Sequence, residues 1–290
     1  MSKLIKAITS DGAIVAYATD STDIVARAEK IHKTSPVVTA ALGRLLTAAS
    51  LMGSVLKNSE TITLRIKGDG EIGALIAASD DHGNVRGYVE NPIVEIPLNN
   101  YGKLDVSTAV GKNGLLSVIK DLGLKDPYIG QVPLVSGEIA EDITSYFAIS
   151  EQIPTVCGLG VLVNSDLSVK NAGGYIIQLL PGADEETIDK LEKNINEIES
   201  VTKMLSDNLT PVDICKKALK GFELEVLAEY DTGYVCNCSR ERVERALLSI
   251  NRHDLEEMAN DDKETIVDCH FCNKKYRFSK KELIELAEKV

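Results

Sequence analysis

The chain has 290 residues, 32 Lys and Arg against 44 Asp and Glu for a formal charge of -12, and 44% hydrophobic, 26% charged and 4% aromatic residues without a single Trp. That length exceeds one ordinary domain and falls short of three, and the composition leaves core packing to Ile, Leu, Val and Ala. The acidic balance opposes a nucleic-acid partner, because phosphate contacts need clustered Lys and Arg.

The opening MSKLIKAITSDG carries two Lys but no apolar h-region or small-residue cleavage site. No apolar run approaches the roughly 18 residues of a membrane span, so a cytoplasmic protein with no membrane partner is expected. Leu4 to Ile8, the turn Ser10-Asp11-Gly12 and Ala13 to Ala18 predict an opening hairpin. Ser35-Pro36 predicts a helix start, followed by an apolar, buried helix through Leu45, Leu46, Leu51 and Val55 that carries Gly43 and Gly53. Thr61 to Ile66, Ile72 to Ala78 and Val85 to Val89 alternate as strands of a meander around turns at Lys67-Gly68-Asp69-Gly70 and Asp81-His82-Gly83-Asn84. Gly68 to Gly73 also matches G-x-G-x-x-G, with Glu90 about twenty residues on, but no capped helix follows, so a hairpin turn is the better account than a dinucleotide site. A helix from about Ser136 to Glu151 precedes further strands at Gly158 to Val163 and Gly174 to Leu180. The fold class expected is α+β: an N-terminal domain of antiparallel sheets with packed helices over residues 1–180.

After Pro181-Gly182 a charged helix carries Ile188, Leu191, Ile195, Ile198 and Val201 at spacings of three and four. A second helix from Thr210-Pro211 and a strand from Phe222 to Tyr230 complete an amphipathic, largely helical linker over 181–231. The remainder, 232–290, is a small domain holding four of the six cysteines. Its eleven Lys and Arg against twelve Asp and Glu, Asp261, Asp262 and Lys263 among them, make it near neutral.

In a reducing compartment such cysteines point to metal or redox chemistry rather than structural disulfides. Cys236-Asn237-Cys238 and Cys269-His270-Phe271-Cys272 are short-spaced thiol pairs some thirty residues apart. Brought together, Cys236, Cys238, Cys269 and Cys272 make the tetrahedral four-sulfur set that one Zn²⁺ prefers in a closed site. His270 offers a substitute ligand, but four thiols already fill the tetrahedron. A CxC disulfide closes a small, strained ring whereas CxxC closes a more relaxed one, so Cys269 and Cys272 are expected to oxidise first. Zinc keeps the thiols deprotonated, with Arg240, Lys274 and Lys275 near in sequence to favour thiolate. Cys157 and Cys215 are isolated and read as packing residues.

The whole chain closely resembles the heat shock protein 33 family of redox-regulated holdase chaperones. The resemblance is carried by Cys236 to Arg242, Cys269 to Asn273, Pro127 to Val132, Ser136 to Asp142, Tyr146-Phe147 through Gln152, and Gly173-Gly174-Tyr175 before Gln178 and Pro181. It implies a protein that is not an enzyme, is inactive when reduced and zinc-bound, and on oxidation forms disulfides Cys236-Cys238 and Cys269-Cys272, releases zinc and loses order in the linker. The implied partners are unfolded or oxidatively damaged proteins, held without ATP and handed to an ATP-dependent foldase system, with a homodimer as the oxidised form. Two competing readings are a CxxC thiol oxidoreductase, which needs a thioredoxin-like βαβ setting, and a zinc-ribbon nucleic-acid module, which needs a basic surface.

Overall fold

The computed structural model describes residues 2–260 and 264–290. Met1, where the expected core domain begins, and Asp261, Asp262 and Lys263 lie outside the described residues. The chain forms two compact units, Met1–Val235 and Cys236–Val290.

The hairpin read at the N-terminus is present as β1 (Ser2–Thr9) and β2 (Ile14–Asp20). Its turn closes on the Asp11 carboxylate, which accepts from Ala13 N and Thr9 Oγ1, and on Gly12 at φ +71. Helix α1 (Thr22–His32), absent from the sequence reading, follows and buries Ile24, Val25 and Ala28. Helix α2 (Pro36–Gly53) is the centre of the unit, buried along nearly its whole length and packed against strands of both sheets. Ser35 does not cap it with its side chain; Ser35 Oγ donates instead to Val94 O at 2.7 Å. At Gly43 a Cβ would stand 2.7 Å from Val25 Cγ1, so the glycine is what lets α1 and α2 approach. Although no membrane span is expected, α2 has the length and hydropathy of one; its 89% burial inside the fold accounts for that composition as core helix.

Strands β3 (Thr61–Lys67), β4 (Ala74–Asp80) and β5 (Val85–Val89) form the expected meander. The Gly68 to Gly73 stretch is the turn between β3 and β4, with Gly73 at φ +68 and no helix after it. Helix α3 (Val106–Val110) and strands β6 (Leu115–Asp121) and β7 (Tyr128–Pro133) follow, giving an antiparallel sheet of order β5-β4-β3-β6-β7. The helix expected from Ser136 starts later, as α4 (Ala140–Tyr146), and runs into a π-helical turn over Phe147–Glu151. The delay has a cause: the buried Asp142 carboxylate gathers the N–H groups of Val135, Ser136, Gly137 and Ile139, folding 135–139 into a loop.

Strands β8 (Thr155–Val163) and β9 (Val169–Leu179) then join β1 and β2. The segment 181–231, read as a linker, is built into this unit. It supplies α5 (Glu185–Glu197), α6 (Val201–Ser206), α7 (Pro211–Ala218) and β10 (Leu224–Thr232), and the first sheet has the order β10-β1-β2-β9-β8. Leu191, Val201, Met204, Ile214 and Cys215 pack with Ile5, Ile14, Ala16 and Ile177 as a second core on one face of that sheet, while the α2 core includes Leu4, Val15, Tyr17 and Ile176. Of the apolar stripe, Leu191 and Val201 are buried and Ile195 and Ile198 partly so. The boundary between units falls after Val235 rather than after residue 231.

The second unit contains α8 (Arg240–Leu247), α9 (Arg252–Asn260), the antiparallel pair β11 (Thr265–Asp268) and β12 (Lys275–Phe278), and α10 (Lys280–Ala287). Its core is small: Leu247, Leu255, Ala259, Tyr276, Phe278, Leu283, Leu286 and Ala287, with Cys238 and Cys269 packed beside it. The α+β class with antiparallel sheets stands as expected.

Candidate metal centre

The two cysteine pairs arrive on different local structures. Cys236 and Cys238 precede α8, whose N-cap Ser239 accepts from Arg242 N. Cys269 and Cys272 sit in the turn between β11 and β12, where Cys269 O accepts from Cys272 N at 3.2 Å and Asn273 N at 2.8 Å, and Cys269 N donates to Lys274 O at 2.9 Å. Asn273 takes the left-handed conformation, φ 57, that this tight turn requires.

The fold brings the four thiols together, every Sγ within 4.8 Å of every other. Cys236 Sγ lies 3.7 Å from Cys269 Sγ, and Cys238 Sγ lies 3.4 Å from Cys272 Sγ. A tetrahedron of sulfurs about 2.3 Å from a zinc ion has edges of about 3.8 Å. The donor set and its spacing therefore fit a four-thiolate metal site. His270 is exposed and does not belong to this group.

Burial pushes the Cys236 thiol up and raises Cys272 to about 12. Burial acts upward on Cys238 as well, but the Tyr276 hydroxyl, which donates to Cys238 Sγ at 3.1 Å, and the neighbouring thiols outweigh it and bring Cys238 down to about 7. Tyr276, only 6% exposed on β12, is the residue that the sequence reading placed as an aromatic strand position and not as part of the site. Its signal was the alternation of Tyr276 and Phe278, which turns both inward. Of the three cations expected to favour thiolate, two face carboxylates and the third lies over the ring of the tyrosine that bonds Cys238. Arg240 bonds Glu244, Glu282 and Arg277 O, Lys274 lies 5.1 Å over the Tyr276 ring, and Lys275 faces Asp268.

Cys157 and Cys215 lie in the first unit, outside the thiol group. Burial raises both thiols, Cys215 to about 12, as suits packing residues.

A two-sheet α+β core followed by a small unit with four clustered thiols defines a class of protein in which one metal can hold a module together. The family model described as Hsp33 protein matches residues 2–279. A 33 kDa chaperonin of Clostridium perfringens is 51% identical over 99% of this chain and 91% of its own length. One of Bacillus licheniformis is 46% identical over the full length of both. The crystal structure of a 33 kDa chaperonin, a heat shock protein 33 homologue from Thermotoga maritima, superposes with a TM-score of 0.90 at 39% identity, covering 99% of this chain and 98% of that one. The chain belongs to the Hsp33 family, a family of chaperones.

Proposed function

We propose that this protein is a cytoplasmic, redox-regulated, ATP-independent holdase, inactive while Cys236, Cys238, Cys269 and Cys272 hold one Zn²⁺ as thiolates and active once they are oxidised. The observation that carries the reading is the four-sulfur group: two pairs from separate loops at tetrahedral spacing, in a unit whose apolar core is too small to be sturdy alone. Bound zinc supplies charge to keep the sulfurs deprotonated and cross-links the two loops.

The chain's own residues do the rest. Each pair of thiolates gives two electrons to one peroxide, and with two protons yields a disulfide and two waters. Pairing Cys236 with Cys238 and Cys269 with Cys272 consumes two peroxides and leaves no ligand for the metal. The second unit then loses its cross-link, and order in the preceding segment falls with it. Apolar surface so released holds unfolded or oxidatively damaged proteins; the active form is a homodimer, and clients pass to an ATP-dependent foldase system. The turn between two strands that carries Cys269 and Cys272 argues against an oxidoreductase of the βαβ kind, and the near-neutral second unit argues against a nucleic-acid module.

The test is zinc content and thiol count, before and after peroxide at elevated temperature, on samples assayed for suppression of a model protein's aggregation. Zinc loss, loss of four thiols and onset of suppression together support the proposal. Retained zinc, or suppression that does not change on oxidation, refutes it.

A further inference from the structure

The outer edge of the second sheet is occupied by the residues just ahead of Cys236. β5 is an edge strand. Tyr88 and Arg86 alternate with Val85, Gly87 and Val89 along it, and Glu90 N bonds back to Ala74 O on β4, so the backbone groups of Val85 and Gly87 point outward. They are met by the segment 233–235. Val85 N donates to Gly233 O at 2.9 Å and Val235 N donates to Val85 O at 2.8 Å, a parallel bridge of Val85 with Tyr234. At the next position no backbone group among the described residues continues the ladder. The Tyr234 hydroxyl takes over instead, donating to Gly87 O at 2.7 Å and accepting from Gly87 N at 3.2 Å, with His32 Nε2 also 3.2 Å away. The Tyr234 ring packs on the α2 core. One phenol thus stands in for a whole ladder residue.

We propose that this edge is a binding site for an extended segment of unfolded polypeptide, covered in the resting protein by Gly233-Tyr234-Val235. The occupant is specified by what covers the edge now: a strand running parallel to β5, with backbone groups to pair Val85 and Gly87 and a large apolar or aromatic side chain in the place of Tyr234. An unpaired edge is a ready template for another chain, and the phenol clasp blunts it. The clasp is joined directly to the first cysteine of the thiol group, so disorder beginning at Cys236 reaches Val235 and Tyr234 before anything else in the first unit. The inference rests on the holdase reading for the nature of its ligand.

The test is amide exchange in the full-length protein, read at Val85 and Gly87, with the outward amides of β7 as control. Tyr234→Phe keeps the ring and removes the hydroxyl, and should raise exchange at Gly87 about fivefold in the reduced, zinc-loaded protein. Adding a urea-unfolded model protein should restore protection at Gly87 in that variant and at both Val85 and Gly87 in oxidised wild type, and leave β7 unchanged. Suppression of aggregation with the edge amides open and unprotected, or with the clasp still closed, overturns the proposal and leaves the holdase reading standing. Absence of suppression on oxidation overturns the holdase reading instead; the edge is then decided by whether the unfolded chain protects it in Tyr234→Phe.

Discussion

Removing zinc from the reduced protein should unfold the second unit and leave the first intact. The second unit has about 55 residues, and domains of that size carry about 3 to 8 kcal/mol of stability at the usual value per residue. Among the described residues its apolar core amounts to eight buried residues, two of them alanines. A structural zinc contributes about 10 to 16 kcal/mol, more than that whole stability, so its loss leaves the unit on the unfolded side by about 2 kcal/mol or more. Helices α8, α9 and α10 hold roughly a quarter of the α-helical residues described, which sets the fall in far-ultraviolet circular dichroism expected after chelation under reducing conditions. Amide exchange should show β12 open while Leu45 and Leu64, fully buried in the α2 core, stay protected. Metal-free protein that keeps its full helical signal and a protected β12 would refute the reasoning, since the small core would then suffice.

Tyr276→Phe removes the hydroxyl that donates to Cys238 Sγ; zinc affinity, measured by chelator competition, should fall about tenfold and peroxide-driven zinc release should accelerate, as follows when a ligand loses its hydrogen-bond support. Asp142→Ala strands the N–H groups of Val135, Ser136, Gly137 and Ile139 in a buried loop, a loss of about 3 to 5 kcal/mol; calorimetry should find the first unit melting about 10 °C lower. Burial pushes the Glu151 carboxyl up, but hydrogen bonds from Lys120 Nζ and Tyr146 Oη outweigh it and hold the group below the ordinary 4.5. The unfolded chain therefore takes up this proton first, so the contribution is present above about pH 4.5 and lost as pH falls through the lower folded value; Glu151→Gln should flatten that acid limb in thermal melts.

The thiol group was legible because ligand type and close spacing are local properties: CxC and CxxC put two sulfurs each on short turns whatever surrounds them. The hairpin β1–β2 and helix α2 were legible for a similar reason, turn chemistry in one case and an uninterrupted apolar run in the other. Helix α1 was not, since its buried face is only Ile24, Val25 and Ala28 and the Ser21 hydroxyl bonds Thr47 instead of capping. Strand β6, Leu115–Asp121, lacks clean alternation because Leu116, Ser117 and Val118 are buried in succession. The roles of Tyr276 and Tyr234 depend on register and on strands distant in sequence, so no pattern around either residue announces them. The unit boundary moved for the same cause: pairing of Val85 with Tyr234 spans the chain and leaves no periodic trace.

The way 181–235 is bound suggests that its release is graded. Leu191, Val201, Met204, Ile214 and Leu219 are all buried against the first sheet. At about 1.5 to 3 kcal/mol each, peeling the whole segment away costs about 8 to 15 kcal/mol, comparable to what the metal supplies. Disorder in the second unit cannot by itself dislodge all of it. The parts differ, however. α5 buries only Leu191 along its length, and β10 leaves Val226 and Leu227 about half exposed, whereas α6 and α7 contribute most of the apolar contact. Exchange after oxidation should therefore open the clasp at 233–235 first, then α5, and last the α6–α7 pair with Met204 and Ile214. Simultaneous opening of all three would show that the segment behaves as one cooperative unit and that packing on the sheet does not set the order. A graded release leaves the first sheet's outer face largely covered while the β5 edge is already open, so the earliest client contact would be through backbone pairing at an edge and not through a bared apolar sheet.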